Sequence, residues 1–433
     1  MGVARCYRKI GANFYPGGGV YKMTGKTIAI KSHDGRTFGA YMAVPAAGSG
    51  PGLVVLQEIF GVNGHIRAIA DRWAEEGYVV LAPDLFWRLK PGVELGFSPE
   101  DVQVAREYGQ RFDDENGVRD IGATIAALKS EPAFKGKVGA IGYCMGGRLA
   151  FLAAARLSID AAVCYYATRM ENLLDEAASV RCPIMFHFGG KDLAIPPDSR
   201  EKIRAAFKSH DDAEFYVYAD AGHAFNNDRR ESFDPFAAQL ARSRSIGFLR
   251  KALGPRYDLS ALWDNHTAQE FNHRDVDATM ASMTTDAYVN HVPTMTGGYG
   301  FEELRHFYDN HFIPRLPADT RIVPVSRTVG PDRVVDELLF CFTHTCEIDF
   351  MVPGIAPTGK YVEVPLVAIV EFRGDKIYNE HIYWDQASML AQLGILDPTG
   401  LPIAGIETAK KLKGDPIPTN TLMPSWKSSA GKS

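Results

Sequence analysis

The stretch KVGAIGYCMGGRLAFLAAA, residues 137–155, decides the fold of the first half of the chain. It reads as an apolar strand, then G-x-C-x-G, then a helix. Strand, sharp turn and helix in that order form the context in which a nucleophile sits on an elbow above a parallel sheet. Gly142 and Gly146 leave room for close backbone approach on either side of Cys144. The helix N-terminus that follows favours a thiolate at Cys144 and an oxyanion beside it. Taken alone, the motif suits equally well a small buried cysteine between two packing glycines.

The neighbouring segments have the same grammar. A hairpin is expected over 27–45, with TIAIKS and TFGAYMAVP joined by an HDGR turn. Short continuous apolar runs then follow at 52–57, 78–84, 137–142, 160–167, 183–189 and 214–220. Amphipathic helices are expected between them, near 65–76, 117–130, 145–157, 198–208 and 234–252. Apolar strands alternating with helices imply a parallel sheet covered on both faces, an α/β domain. FHFGGKDLAIP puts Asp192 just beyond one strand, and VYADAGHAF puts His223 just beyond the next. Nucleophile, acid, histidine is the chain order of α/β-hydrolases, and all three follow strand carboxyl ends. His223 would take the thiol proton while Asp192 holds the imidazole in its useful tautomer. The backbone N–H of Met145 would form half of an oxyanion hole. The bland alternative needs a turn aspartate, a surface histidine and a coincidental elbow together.

These stretches carry a family resemblance. QEIFGVN (57–63), APDLF (82–86), KVGAIGYCMGG (137–147), FHFGGKD (186–192) and AGHAF (221–225) make residues 27–250 resemble the dienelactone hydrolases, or carboxymethylenebutenolidases. The resemblance implies an α/β-hydrolase fold without a cofactor, and hydrolysis of a small-molecule ester or lactone. It implies that Glu58 partners the thiol and helps arm it, and that the N–H of Ile59 completes the oxyanion hole. It also shows a departure: Val102 and Asn227 stand where the family carries two arginines for the substrate carboxylate. Arg106, one helical turn beyond Val102, and Arg88, after APDLF, are the candidate replacements. A thiol nucleophile forms a thioester, which suits activated esters and lactones and suits amides poorly.

The pattern changes after KALGPRYDLS (251–260). Helices are expected near 262–283 and 301–312, then strands near 320–328, 333–350, 361–373 and 377–385, and a helix at 386–394. Helices grouped ahead of an antiparallel sheet describe a smaller α+β domain. With its closing KIYNEHIYWDQASMLAQLG (376–394), this half resembles the cone-shaped nuclear-transport-factor-2-like or polyketide-cyclase-like fold, which encloses a pocket. Candidate pocket groups are His344, in LLFCFTHTCEIDF, and His381, Tyr383 and Asp385 on one face of the last strand, with Glu380 on the other. Tyr288 and His291 are expected at its mouth. No cluster has metal-ligand spacing. The expected domains are 20–254, 260–396 and a strap and tail at 397–433.

Composition narrows the function further. With 433 residues, two cores are expected. A net charge of −5 gives no reason to expect nucleic acid or an anionic membrane as partner. The six cysteines are scattered through a core-forming chain, so a disulfide framework is not expected. MGVARCYRKIGANF lacks an apolar signal core, and Cys6 replaces the Ser or Thr that a myristoylation site needs after Gly2. A cytoplasmic protein is expected, with a homodimer through the cone domain as an analogy. The leading reading is a cysteine-nucleophile ester or lactone hydrolase with a pocket domain of unknown role. The alternatives are the same hydrolase with a binding or dimerisation module, and a non-enzymatic small-molecule binder.

Overall fold

A computed structural model describes residues 25–429. The readings made on Gly2 and Cys6 lie outside the described residues. The chain divides into two compact units between Arg256 and Tyr257.

The first unit is built on one eight-stranded sheet. Its strands are β1 (Lys26–Lys31), β2 (Thr37–Ala43), β3 (Gly50–Leu56), β4 (Val79–Pro83), β5 (Phe134–Tyr143), β6 (Ala161–Tyr165), β7 (Ile184–Gly189) and β8 (Ala213–Tyr218). Their spatial order is β1-β2-β4-β3-β5-β6-β7-β8. β1, β2 and β4 pair antiparallel, and every pairing from β4 through β8 is parallel. Helices α1 (Gly64–Glu75), α2 (Pro99–Arg111), α3 (Asp114–Ser130), α4 (Met145–Arg156), α5 (Pro197–Ala206) and α6 (Pro235–Leu253) supply the crossovers and cover. β4, β6 and β7 are buried along their whole length, as continuous apolar runs require. Each fully buried Val, Leu or Phe contributes about 1.5–3 kcal/mol, so this core dominates the stability of the unit.

The helices expected from the sequence leave out α2, apart from the helical turn read between Val102 and Arg106. Ser98 caps it and Pro99 opens it, but only Ala105 along it is buried. A helix with so little apolar stripe leaves almost no periodic signal.

The second unit carries a six-stranded sheet in the order β10-β9-β14-β13-β12-β11. These strands are β9 (Met283–His291), β10 (Thr296–Tyr299), β11 (Arg321–Val329), β12 (Arg333–Thr343), β13 (Tyr361–Arg373) and β14 (Lys376–Trp384). Its helices include α7 (Leu259–Thr267), α8 (Val276–Ala281), α9 (Gly300–Phe307), α10 (Gln386–Gln392) and α11 (Glu407–Leu412). The long helix expected over 262–283 is broken: α7 runs into a wide π-helical turn at Ala268–His273, and Arg274 then takes φ 54°. Asp275 caps α8 through the N–H of Ala278. β9 and β10 were not foreseen, and β9 pairs parallel with β14, so the sheet is mixed rather than antiparallel.

On the inner face, Val289 and His291 of β9, Leu338 and Phe340 of β12, Leu366 and Ala368 of β13, and Glu380, Ile382 and Trp384 of β14 line one cavity of about 50 Å³. On the outer face Leu339 and Cys341 bury Ala409 of α11. Lys413 then pairs with Glu363 at 2.7 Å, fixing the segment after Asp397 to the sheet.

A tight backbone crossing lies under α4. A Cβ added at Gly146 would run into the carbonyl oxygens of Leu56 and Gln57, both backbone. Overpacking of this kind costs about 1–3 kcal/mol, and backbone offers no flexible side-chain end to yield. Gly146→Ala is therefore expected to lower the first unit's stability by about 3 kcal/mol. Urea unfolding followed by circular dichroism checks it.

Candidate active site

Cys144 stands between the end of β5 and the first turn of α4, with φ 56° and ψ −112°. A non-glycine residue there is strained, and the structure holds it from both sides. Its N–H donates to Tyr165 O at 3.0 Å, while its own carbonyl accepts from Gly147, Arg148 and Thr168. A Cβ at Gly142 would collide with the Gly146 carbonyl, so no larger residue fits beneath the turn. Three other non-glycine residues with positive φ lie close by in the chain or in space: Tyr166 at 35°, Arg169 at 61° and Ala224, next to His223, at 60°. Such clustering is characteristic of functional sites.

His223 lies between Asp192 and Cys144. Its Nδ1 is 2.8 Å from Asp192 Oδ2, and the Cys144 thiol is an electrostatic neighbour of its ring. Asp192 is buried, and its other oxygen accepts from the N–H of Ala194 at 2.8 Å. Both contacts to Asp192 are donors, which fixes the Nδ1–H tautomer and leaves Nε2 toward the sulfur. Burial alone would push the His223 imidazole down, but Cys144 and Asp192 outweigh it and raise it to about 10.

Glu58 follows β3 and is buried. Its Oε2 accepts from Asn227 Nδ2 at 3.0 Å, and its Oε1 is buried with no hydrogen-bond partner. Asn227 Oδ1 accepts from the N–H of Arg229, so its amide is oriented with the NH2 toward Glu58. Sequence reasoning passed over three neighbours. Thr168 Oγ1 is 3.8 Å from Cys144 Sγ. Arg148, bound to Asp114 at 2.8 and 3.0 Å, donates to Thr168 O and holds that loop in place. Fully buried Tyr166 stacks edge-on against His223 at 5.1 Å, and the charges of Glu58 and Cys144 help raise its phenol after burial. None belongs to a recognisable motif, because their roles arise only once β6 is laid beside β5.

Of the oxyanion candidates, Met145 opens α4, where the first N–H groups have no intrahelical partner. Ile59 packs under α2: a Cβ at Gly109 would meet its Cγ2 at 3.0 Å. Arg106 lies on the same helix one turn earlier and is exposed.

Arg88 corrects an expectation. Its guanidinium is tied to Asp120 through two bonds of 2.8 Å from different nitrogens, to Ser32 at 2.7 Å and to Asp34 at 2.6 Å, and it stacks over Trp87. With four of its five N–H donors committed to these partners it pins the β1–β2 hairpin to α3.

The second-unit candidates are also corrected. Even-numbered residues of β14 face the cavity, so His381 and Tyr383 point away from it. Tyr383 is 41% exposed, and burial with the nearby Arg333 pushes His381 down. Asp385 caps α10 through the N–H of Ser388. His344 lies beyond β12 and bonds Thr358, outside the cavity lining. Tyr288 stacks on Tyr299 on the outer side, whereas His291 does line the cavity, where burial pushes it down to about 4.

The polar groups that do meet inside the cone are His266, Glu270 and Glu380, all buried. His266 Nε2 lies 3.2 Å from Glu270 Oε1 and 3.1 Å from Glu380 Oε1. Burial would lower the His266 imidazole, but the two carboxylates raise it to about 10. Among the described residues no helix is long and apolar enough to cross a membrane.

Comparison with known proteins agrees with this geometry. The profile of the Dienelactone hydrolase family matches residues 38–253, and that of the SnoaL-like domain matches residues 265–380. A carboxymethylenebutenolidase of Pseudomonas putida is 40% identical over 225 residues, covering 51% of this chain and 94% of the relative. One from Pseudomonas sp. strain P51 is 40% identical over 227 residues, covering 52% and 94%. Carboxymethylenebutenolidase 1 of Cupriavidus pinatubonensis is 32% identical over 229 residues, covering 53% and 97%. The chain belongs to the dienelactone hydrolase family, an ester or lactone hydrolase with an α/β-hydrolase fold whose second half carries a SnoaL-like domain.

Proposed function

We propose that Cys144 is the nucleophile of this hydrolase and that the reaction passes through an acyl-thioester. The observation that carries the reading is His223 held between Asp192 at 2.8 Å and the thiol of a cysteine with φ 56°. The thiolate attacks the carbonyl carbon, forming the C–S bond. The oxyanion is received by the N–H groups of Met145 and Ile59. Collapse breaks the bond to the alcohol or enol oxygen, and His223 returns the proton to that leaving group. A water that gives its proton to His223 then attacks the thioester, releasing the acid and restoring the pair.

Glu58 acts as a relay for the thiol proton when substrate arrives, accepting it from Cys144 and passing it to His223, which then gives it to the leaving group. Its buried, unpartnered Oε1 supports that role, because an oxygen already bonded twice would be a poor acceptor. Asn227 holds the other oxygen without adding a positive charge. The substrate is therefore an activated ester or lactone with a good leaving group, and not one clamped by a pair of arginines at the positions of Val102 and Asn227. Arg106, exposed on the helix that covers Ile59, is the cation assigned to an acidic substrate group.

A panel of activated aryl esters and small enol-lactones, compared with Cys144→Ala, tests this reading. The parent should turn over several of them and show an acyl adduct by intact mass. The variant should lose about 10³-fold or more in kcat/KM. Hydrolysis that persists in Cys144→Ala would remove the cysteine from the mechanism.

The pairing also has a pH signature. A raised histidine pKa contributes stability that is fully present below the ordinary value of 6.5 and is lost as pH rises toward about 10. The neighbouring thiol is the largest of the contributions that raise it. In Cys144→Ala the imidazole should therefore titrate at a lower pH than in the parent. NMR titration of ring-labelled histidine measures this directly, and an unchanged midpoint would mean that thiol and imidazole are not coupled.

A further inference from the structure

The cone cavity is apolar over most of its wall: Trp263, Phe271, Phe312, Phe340 and Trp384 line it. Two buried carboxylates and a histidine meet in that apolar setting. Such groups are rarely buried together unless protons or a cation balance their charge.

The hydrogen bonding of His266 narrows the choice. Ser282 Oγ lies 2.6 Å from His266 Nδ1 and 2.6 Å from Thr279 O. The carbonyl can only accept, so the single serine proton goes to Thr279 O and Nδ1–H donates to the serine oxygen. The Nε2 end therefore faces Glu270 and Glu380. It is within 3.2 Å of both carboxylates, yet it is in hydrogen-bond alignment with neither, and Glu380 Oε1 also finds no partner. A protonated Nε2 would aim its hydrogen at one oxygen. A single proton at Nε2 would balance only one of the two carboxylates.

The spacing has a direct interpretation. Donors at about 2.0–2.2 Å from a common ion, at tetrahedral or octahedral angles, stand about 3.0–3.6 Å apart. The two contacts at Nε2, 3.1 and 3.2 Å, lie in that range, and the three donor atoms all lie within 4.8 Å of one another. A ligating histidine ordinarily donates its other ring N–H to a fixed acceptor, which is what Ser282 provides. An independent group points to the same place. His291 is buried and lines the cavity, its Nδ1 has no hydrogen-bond partner, and it lies within electrostatic reach of Glu380. Tyr308, also in the lining, stands beside Glu270.

We propose that His266, Glu270 and Glu380 bind a divalent first-row transition ion through one imidazole nitrogen and two carboxylate oxygens, with its open coordination positions toward the cavity. Imidazole with hard oxygen donors suits Zn²⁺, Mn²⁺ or Fe²⁺ rather than the thiolate-preferring ions. The open positions face a cavity walled by aromatic rings and reached by His291. A small apolar molecule that presents one oxygen to the ion fits such a site. It is a second ligand site in the chain, independent of Cys144.

The full-length protein, stripped with a chelator and dialysed, is titrated with ZnCl2 by calorimetry and with CoCl2 by visible absorption. One equivalent per chain should bind, with d–d bands of an oxygen-rich, nitrogen-containing Co²⁺ site and a rise in Tm. Glu380→Gln and Glu270→Gln, similar in shape and neutral, should each weaken binding by at least about tenfold. Cys144→Ala should bind as the parent does, which separates this site from capture by the thiol. Absence of saturable binding in the parent overturns the proposal. So does binding that survives both glutamine variants, or that disappears in Cys144→Ala. Should a glutamine variant fail to fold, ring-labelled histidine NMR of the parent decides: Zn²⁺ must perturb the His266 ring, and an unperturbed ring refutes the site.

Discussion

The crossing of α4 over β3 and β5 is the constraint on which the hydrolase unit depends. Gly142 and Gly146 let backbone meet backbone there, with the Leu56 and Gln57 carbonyls directly beneath Gly146. That approach forces the turn at residue 144 into a left-handed conformation that costs about 1–3 kcal/mol. The cost is offset by four backbone hydrogen bonds to Cys144 and by the buried sheet around it. In return the thiol is presented at a helix N-terminus, with His223 as its electrostatic neighbour. Moving α4 outward by one methyl group would displace each of these relations together.

This explains why the first unit was legible in the sequence. Gly142, Gly146 and the apolar run before them are local necessities of the turn, and the turn fixes where a reactive side chain must stand. Asp192 and His223 follow strands whose apolar runs are continuous, so their position at the carboxyl end of a parallel sheet could be read without coordinates. Glu58 needed the resemblance, since nothing local separates it from a solvated strand-end acid. Arg88 failed for a different reason. An arginine after a strand looks free until Asp120, Asp34 and Ser32 are seen to converge on it from three separate segments.

The second unit was legible only as a class of fold. Both faces of β14 carry apolar and polar residues alike, so alternation gives two sets without saying which one faces inward. The reading took His381, Tyr383 and Asp385, and the structure turns Glu380, Ile382 and Trp384 inward instead. The deciding information is long-range: β9, unrecognised in the sequence, lies parallel against β14 and brings His291 to the same face. His266 and Glu270 were hidden by being ordinary polar residues at helical spacing, in a segment that widens into a π turn. Their significance depends on a glutamate from a strand far along the chain.

The two units handle buried charge in opposite ways. In the hydrolase unit the ionisable groups form an open series, from Asp192 through His223 to the thiol, with a quarter of the histidine side chain exposed; on the mechanism proposed above, that opening lets a proton leave and return. Such a chain is useful because its charge moves. In the cone, His266 is sealed among two carboxylates and aromatic walls, with no exposed surface on the imidazole. A proton confined there has no route for exchange with substrate or bulk water except through the cavity itself. Two buried carboxylates and one imidazole in an apolar surrounding leave an imbalance of charge that only added protons or a cation can remove. A divalent ion removes that imbalance without any rearrangement of the side chains. The same geometry that makes the cluster a poor proton shuttle makes it a preorganised ligand set, and this contrast assigns chemistry to the first unit and coordination to the second.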